Sequence, residues 1–154
     1  MESSLESALA TSKSVGYAPM RDEPDFAAFL RARDFPPADY VIPASKELDP
    51  EEVERELRDR YGEDAVALFI PGRAFDLSGT RHGRGRGWYD RLLSKLPEGW
   101  LRVGVLNESL LSETPLSRKE WDEPVDFLLI QRGNDFDIVE TNARAGMVQS
   151  KKSP

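Results

Sequence analysis

Short apolar runs alternate with amphipathic stretches along this chain. Residues 65–70 are all apolar, which is typical of a short strand buried on both faces. Residues 49–62 instead place Val53, Leu57 and Tyr61 at helical spacing, between an Asp-Pro start and a final glycine. The same patterns predict strands at residues 15–18, 40–43, 65–70, 101–106, 125–130 and 136–140, and further helices at 3–10, from 22–25 onward and from 88 onward.

Strands separated by helices indicate a layered α/β fold, whose ligands usually bind at the carboxyl ends of the strands. With 154 residues, 39% of them hydrophobic, the chain is long enough for one domain with a core. We predict a single domain over residues 1–143 and a disordered tail over 144–154. No apolar run approaches the roughly 20 residues needed to span a bilayer, and no signal-peptide pattern is present, so we expect a cytoplasmic protein.

Composition excludes several functional classes. The 28 acidic residues outnumber the 21 lysines and arginines, and the net charge of −7 disfavours general binding to nucleic acid or to anionic membranes. Because the chain has no cysteine, it has no disulfide, no thiolate nucleophile and no zinc site of the cysteine type. A single histidine also excludes metal sites built from several histidines. The expected partners are therefore small molecules.

The segment that follows the run 65–70 combines glycine and arginine in one short loop. Glycines alternate with arginines there, in the order Arg81-His82-Gly83-Arg84-Gly85-Arg86-Gly87. Helix-like spacing resumes at residues 88–93, so the loop ends at a helix N-terminus, where free backbone N–H groups favour an anion. Glycines are also common in plain turns, but a turn does not need three arginines on an acidic chain. The Walker pattern and the dinucleotide-binding Gly-x-Gly-x-x-Gly pattern are both absent, so the loop is predicted to hold phosphate in another way.

The wider motif resembles the signature of the 5-formyltetrahydrofolate cyclo-ligase (methenyltetrahydrofolate synthetase) family. It runs Pro-Gly-Arg-Ala-Phe-Asp over residues 71–76, then Gly79, then Arg-His-Gly-Arg-Gly-Arg-Gly-Trp-Tyr-Asp-Arg over 81–91. The resemblance extends more loosely over residues 15–142. It implies a three-layer α/β/α fold with a mostly parallel sheet, of the NagB/RpiA/CoA transferase-like type. It also implies conversion of 5-formyltetrahydrofolate to 5,10-methenyltetrahydrofolate, with ATP as co-substrate and Mg²⁺ as cofactor.

The resemblance assigns roles to particular residues. The implied nucleotide-binding residues are Arg81, His82, Gly83, Arg84, Gly85, Arg86, Gly87, Trp88 and Tyr89, and Arg84 and Arg86 are the implied catalytic residues. Glu23, Phe75 and Trp88 would contact the folate, and Asp90 and Asp122 would hold the metal. From the residues alone, Glu23 also fits a helix-dipole role in a first turn, and Asp122 and Asp126 also fit positions that cap or flank a strand.

Several features depart from the family pattern. His82 replaces a leucine, Trp88 replaces the first tyrosine of an aromatic pair, and Trp121 replaces a histidine. The basic N-terminal helix that contributes to the family's ATP site has no counterpart before Ser14. Two alternatives therefore stay open: a non-catalytic paralogue that binds folate or a nucleotide, and a phosphosugar-binding domain of the same superfamily.

Overall fold

The computed structural model describes residues 4–21, 23–44, 47–83 and 87–144. The helices are α1 (Ser4–Leu9), α2 (Phe26–Ala32), α3 (Pro50–Tyr61) and α4 (Trp88–Lys95). The strands are β1 (Lys13–Tyr17), β2 (Tyr40–Ile42), β3 (Val66–Ile70), β4 (Ala74–Phe75), β5 (Arg81–His82), β6 (Leu101–Asn107), β7 (Phe127–Arg132) and β8 (Asp135–Glu140). A 3₁₀ turn, Glu108–Leu110, follows β6.

Six of these strands form one central sheet in the order β2-β1-β3-β6-β7-β8. Every pairing is parallel except that of β7 with β8, which is antiparallel and closes one edge. The remaining two strands, β4 and β5, pair as a small antiparallel hairpin directly after β3. The chain order of the sheet reverses between β1 and β3. In open α/β sheets, ligands bind outside the carboxyl ends of the strands at such a reversal.

Helices cover both faces of the sheet, because successive side chains of each buried strand point to opposite sides. Val66, Leu68 and Ile70 pack in the core beneath α3 and α4. Ala67 and Phe69 lie in the second core, with α1 and α2. The molecule is therefore a three-layer α/β/α domain with a mostly parallel sheet, as predicted.

The predicted strands are all present, with ends displaced by at most two residues. The start of α2 was predicted wrongly at residues 22–25. Asp25 is the N-cap, accepting a hydrogen bond from the Ala27 N–H at 3.0 Å, and the helix begins at Phe26. Glu23 therefore lies in the loop before the helix, which excludes a helix-dipole role in a first turn.

Two further features differ from the sequence-based description. The hairpin of β4 and β5 was not predicted. Arg144, assigned to the disordered tail, is buried and forms an ion pair with Asp126 at 2.9 Å. Residues 145–154 lie outside the described residues. Among the described residues, no helix is long and apolar enough to cross a bilayer.

Candidate active site

Arg81 is the central residue of the site at the carboxyl end of β3. It lies on β5, is only 5% exposed, and its Nε donates to the Pro71 carbonyl at 2.6 Å. Its guanidinium also lies 5.1 Å from the centre of the Tyr89 ring. A buried guanidinium held at its Nε keeps its two terminal nitrogens in one plane, which is the geometry that binds phosphate oxygens in pairs.

Three carboxylates from distant parts of the chain act electrostatically on Arg81. Burial lowers the pKa of the Arg81 guanidinium, whereas the negative charges of Asp90, Asp122 and Glu23 act in the opposite direction. These acids come from α4, from the segment before β7 and from the loop after β1. The fold thus brings together residues that the sequence analysis assigned to phosphate, metal and folate.

Glycine makes room for Arg81 and starts the neighbouring helix. A Cβ on Gly83 would lie 3.0 Å from one terminal nitrogen of the Arg81 guanidinium. Gly87 is the N-cap of α4 and has a left-handed backbone, with φ of 66° and ψ of 23°. The intervening residues Arg84, Gly85 and Arg86, which include both predicted catalytic arginines, lie outside the described residues.

Trp88 and Tyr89 begin α4 and pack edge-to-face, with ring centroids 4.8 Å apart. The Trp88 Nε1 donates to the Leu48 carbonyl at 2.7 Å, which ties α4 to the residue before the N-cap of α3. Burial raises the pKa of the Tyr89 hydroxyl, and the charge of Glu23 raises it further, so this hydroxyl stays protonated. Trp88 therefore has a structural contact on its polar edge, and its half-buried ring lies at the site.

The two predicted metal ligands are half-buried and electrostatically coupled. Burial raises the pKa of the Asp90 carboxyl, and the charges of Asp122 and Glu123 raise it further. The Asp90 Oδ1 accepts from the Glu123 N–H at 3.0 Å, and the Asp122 Oδ2 accepts from the Lys119 N–H at 2.8 Å. Each carboxylate thus has one oxygen fixed by a backbone N–H. Among the described residues, none donates a hydrogen bond to the second oxygen of either carboxylate.

This pair of carboxylates suits a divalent cation that arrives with a nucleotide. Mg²⁺ in such complexes takes one or two carboxylates from the protein, and phosphate oxygens and water complete its shell. Among the described residues, no group of three or more histidine, cysteine, aspartate or glutamate side chains could hold a metal ion by itself. Asp90 and Asp122 supply two carboxylates, the number that Mg²⁺ takes from a protein when phosphate oxygens and water complete its shell.

Glu23 lies in a tight loop that follows β1. Its Oε1 accepts from the Met20 N–H at 2.8 Å, and the Glu23 N–H donates to the Met20 carbonyl at 2.9 Å. The buried Tyr17 hydroxyl donates to the Pro24 carbonyl, which holds the far end of the same loop against β1. The Glu23 carboxylate is thus bonded within its own loop, and its charge acts on both Arg81 and Tyr89.

Two predicted ligand contacts have other surroundings in the structure. Phe75 has 0% exposure, and its ring occupies the space that a Cβ on Gly72 or Gly104 would need. Phe75 thus packs under the hairpin and has no surface for a ligand. The His82 Nε2 lies 2.7 Å from the Ser117 carbonyl, so this nitrogen carries the proton and donates.

Sequence reasoning missed the residues that support the site from behind. Asp76 is buried and accepts hydrogen bonds from both the hairpin turn and the Leu116 N–H. Arg102 forms a 2.9 Å ion pair with Glu123, whose N–H holds Asp90. The only sequence signal for Asp76 was its place in the motif, since its partner Leu116 lies 40 residues away.

The fold defines a three-layer α/β domain, with its candidate site at the carboxyl edge where the order of the sheet reverses. The family model of the 5-formyltetrahydrofolate cyclo-ligases matches residues 36–131, more than half of the chain. The chain therefore belongs to the 5-formyltetrahydrofolate cyclo-ligase family, a family of ligases in folate one-carbon metabolism.

Two solved structures are similar to this chain, and the first of them supports the fold. The NMR structure of 5,10-methenyltetrahydrofolate synthetase from Aquifex aeolicus is similar over 90% of this chain and 76% of that one, with 24% identity and a TM-score of 0.56. The 5,10-methenyltetrahydrofolate synthetase from Mycoplasma pneumoniae is similar over 77% of this chain and 72% of that one, with 20% identity and a TM-score of 0.46. A search of curated protein sequences gives no match.

Proposed function

We propose that this protein catalyses the ATP- and Mg²⁺-dependent conversion of 5-formyltetrahydrofolate to 5,10-methenyltetrahydrofolate in the cytoplasm. Its membership of the cyclo-ligase family supports the reaction class. The observation that carries the proposal is the buried Arg81 guanidinium, on whose charge Asp90, Asp122 and Glu23 all act. Such a cluster can bind a phosphate chain and its metal ion together.

The proposed reaction needs positioning and charge stabilisation more than a protein nucleophile. The formyl oxygen takes the γ-phosphoryl group from ATP, which releases ADP. The N10 nitrogen then attacks the resulting iminium carbon and loses its proton. The C–O bond breaks, phosphate leaves, and the cyclic methenyl product remains. An enzyme accelerates such steps by aligning the two substrates and by placing fixed charges at the transferring phosphoryl group.

The residues of the candidate site have distinct roles in that reaction. Arg81 would neutralise phosphate oxygens, and its buried position strengthens that interaction because water does not screen it. Asp90 and Asp122 would hold Mg²⁺, which supplies charge neutralisation on the phosphates when bound. The backbone N–H groups at the start of α4 add further donors for an anion.

The folate would lie on the side of Glu23 and Trp88. A carboxylate accepts the paired N–H donors at the edge of a pterin ring, and a flat indole gives the ring a stacking surface. Arg84 and Arg86, from the same motif, are proposed as the catalytic cations at the transferring group. Phe75 is fully buried and has no part in the proposed folate contact.

The activity is tested by following methenyltetrahydrofolate spectrophotometrically, with 5-formyltetrahydrofolate and MgATP as substrates. We expect product only when ATP and Mg²⁺ are both present, with one ADP and one phosphate released for each product molecule. A folded protein that binds ATP and folate without forming product would support the non-catalytic alternative. A protein that binds neither would refute the proposed function.

A further inference from the structure

The hairpin that carries Arg81 is bonded to the segment that carries Asp122. The Ser112 N–H donates to the Phe75 carbonyl at 2.7 Å, and the His82 ring donates to the Ser117 carbonyl at 2.7 Å. These bonds lie at the two ends of the contact. They lay residues 112–118 along the hairpin, immediately before the turn that leads to Asp122.

The Asp76 carboxylate lies in the middle of this contact and is 2% exposed. Its Oδ1 accepts three hydrogen bonds from within the hairpin turn: from the Ser78 N–H at 3.0 Å, the Ser78 hydroxyl at 2.7 Å and the Thr80 N–H at 3.0 Å. Its Oδ2 accepts from the Leu116 N–H at 2.7 Å. One oxygen therefore shapes the turn, and the other holds the neighbouring segment.

Arg118 makes a second connection across the same contact. Its Nε donates to the Thr80 hydroxyl at 3.0 Å, and one terminal nitrogen donates to the Ser78 carbonyl at 3.2 Å. Arg118 is exposed, so it strengthens this contact between the hairpin and residues 112–118, hereafter the joint, without contributing to the core. The planar guanidinium can span both acceptors, which an ammonium group cannot do in the same way.

We propose that Asp76 is a positioning residue that sets the distance between the phosphate-binding Arg81 and the metal-binding Asp122. Arg81 follows Asp76 by five residues in the hairpin, and Asp122 follows Leu116 by six residues in the segment. The hydrogen bond from Leu116 to Asp76 Oδ2 thus ties the hairpin that carries Arg81 to the segment that carries Asp122, through a buried carboxylate. The proposal rests on the proposed function, and it assigns to Asp76 a part in metal-dependent nucleotide binding.

Asp76→Asn removes the hydrogen bond from Leu116 with almost no change in the shape of the side chain. An amide has one acceptor oxygen, and three donors around Oδ1 direct that oxygen to their side. The NH₂ group must then face the Leu116 N–H, so the variant keeps the turn and loses the bond between the segments. Asp39→Asn is the matched control. The Asp39 Oδ2 accepts from the Ser14 N–H at 2.8 Å, at the opposite end of the sheet.

The measurement is ATP affinity by calorimetry, with Mg²⁺ and with EDTA, on the full-length proteins. In the wild type we expect Mg²⁺ to strengthen ATP binding. In Asp76→Asn we expect that strengthening to fall by about 10- to 100-fold, the usual loss when a supporting partner of a metal ligand is removed. Metal-free ATP affinity should change little, because Arg81 remains anchored to Pro71. Asp39→Asn should match the wild type in both conditions.

Amide hydrogen exchange on the same proteins measures the stability of the joint in the absence of any ligand. The Leu116 N–H and its neighbours should exchange faster in Asp76→Asn and normally in Asp39→Asn. Arg118→Lys keeps the charge and loses the two-point attachment, so it should show a weaker form of both effects. If Asp76→Asn does not fold, Arg118→Lys tests the same joint.

The outcomes separate the two proposals. A wild-type protein whose ATP affinity does not respond to Mg²⁺ would overturn the proposed function, and this inference with it. A normal wild-type response that persists in Asp76→Asn and Arg118→Lys would overturn this inference alone.

Discussion

Gly83 and Gly87 serve the site in two different ways. At Gly83 a side chain would meet the Arg81 guanidinium, whereas at Gly87 a Cβ would meet nothing within 4 Å. Only the left-handed backbone of Gly87, with φ of 66°, disfavours other residues there. The first glycine is required by its neighbour and the second by its own conformation.

Alanine at each position should therefore produce opposite results. Gly87→Ala should lower the free energy of unfolding by about 1 kcal/mol, the cost of a left-handed conformation for a residue with a Cβ. Gly83→Ala should leave stability nearly unchanged and raise the KM for ATP by about tenfold, because it displaces Arg81. Urea unfolding and ATP kinetics on both variants test this prediction. Equal changes in the free energy of unfolding and in the KM for ATP in the two variants would contradict it.

The charge of Asp76 predicts a pH dependence of stability. Burial acts to raise the pKa of this carboxyl, but hydrogen bonds from Leu116, Ser78 and Thr80 outweigh burial, and the pKa lies below its usual value. Because the folded pKa is depressed, the stabilisation is complete above the unfolded pKa of about 3.9 and is lost as the pH falls through the folded pKa.

The comparison with Asp76→Asn isolates this effect. At neutral pH the variant should unfold about 2 kcal/mol more easily, the usual loss for a hydrogen bond to a charged acceptor. The gap between the wild type and the variant should shrink as the pH is lowered below about 4. Urea unfolding at several pH values gives the gap directly, and a gap that stays constant down to low pH would refute the assignment.

At the scale of elements, α4 is attached to α3 through Trp88. Its indole donates to the Leu48 carbonyl, and Lys95 at the other end of α4 forms an ion pair with Glu51 at 2.7 Å. These contacts fix the direction of α4, and so the place of Asp90 in its first turn.

Trp88→Phe separates the anchoring contact from the aromatic surface. Phenylalanine keeps the ring beside Tyr89 and loses the hydrogen bond to Leu48, so we expect a loss of about 1 kcal/mol in stability. The KM for 5-formyltetrahydrofolate should stay within about threefold, since a flat face remains for stacking. Trp88→Ala should impair both quantities. A large rise in KM for Trp88→Phe would show that the indole nitrogen matters to the substrate.

The elements could be predicted from the sequence wherever burial repeats with a regular period. The apolar run of β3 and the spacing of Val53 and Leu57 in α3 needed no tertiary information. The hairpin of β4 and β5 could not be predicted, because two-residue strands show no period. The start of α2 was misplaced because Pro24 suggested the first turn, whereas the Asp25 carboxylate caps the helix.

The candidate site was predictable only in part, for a related reason. The motif indicated Arg81, Asp90 and the glycines, which lie close together in the sequence. The role of Asp76 depends on the Leu116 N–H, and no local pattern indicates a hydrogen bond between backbone and side chain across 40 residues. Contacts of that kind follow from the topology of the sheet.

At the scale of the whole molecule, Arg144 joins the end of the described chain to the amino end of the sheet. Besides its ion pair with Asp126, it donates to the Glu98 and Trp100 carbonyls, each at 3.0 Å. Asp126 in turn accepts from the Arg102 N–H at 2.8 Å. A polar C-terminal sequence suggested a solvated tail, and only the fold shows that this guanidinium is buried.

Arg144→Met should destabilise the whole domain. Removing one partner of a buried ion pair costs about 3–5 kcal/mol, and this change also removes the donors to the Glu98 and Trp100 carbonyls. Arg132→Met is the control. Arg132 forms ion pairs too, with Glu108 and Asp137, each at 2.6 Å, but these pairs lie at the surface. That change should cost less than about 1 kcal/mol. Equal losses in urea unfolding would mean that burial does not distinguish the two arginines.

The proposed activity of the edge around Arg81 is an ATP-dependent cyclisation of 5-formyltetrahydrofolate. The most direct measurement compares methenyltetrahydrofolate formation by the wild type, Arg81→Lys and Asp39→Asn, with and without MgATP. Lysine keeps the charge and loses the planar fork, so we expect kcat/KM to fall by about 10²–10³-fold, while Asp39→Asn stays at the wild-type rate. Product formed without ATP, or an Arg81→Lys protein as active as the wild type, would contradict the account.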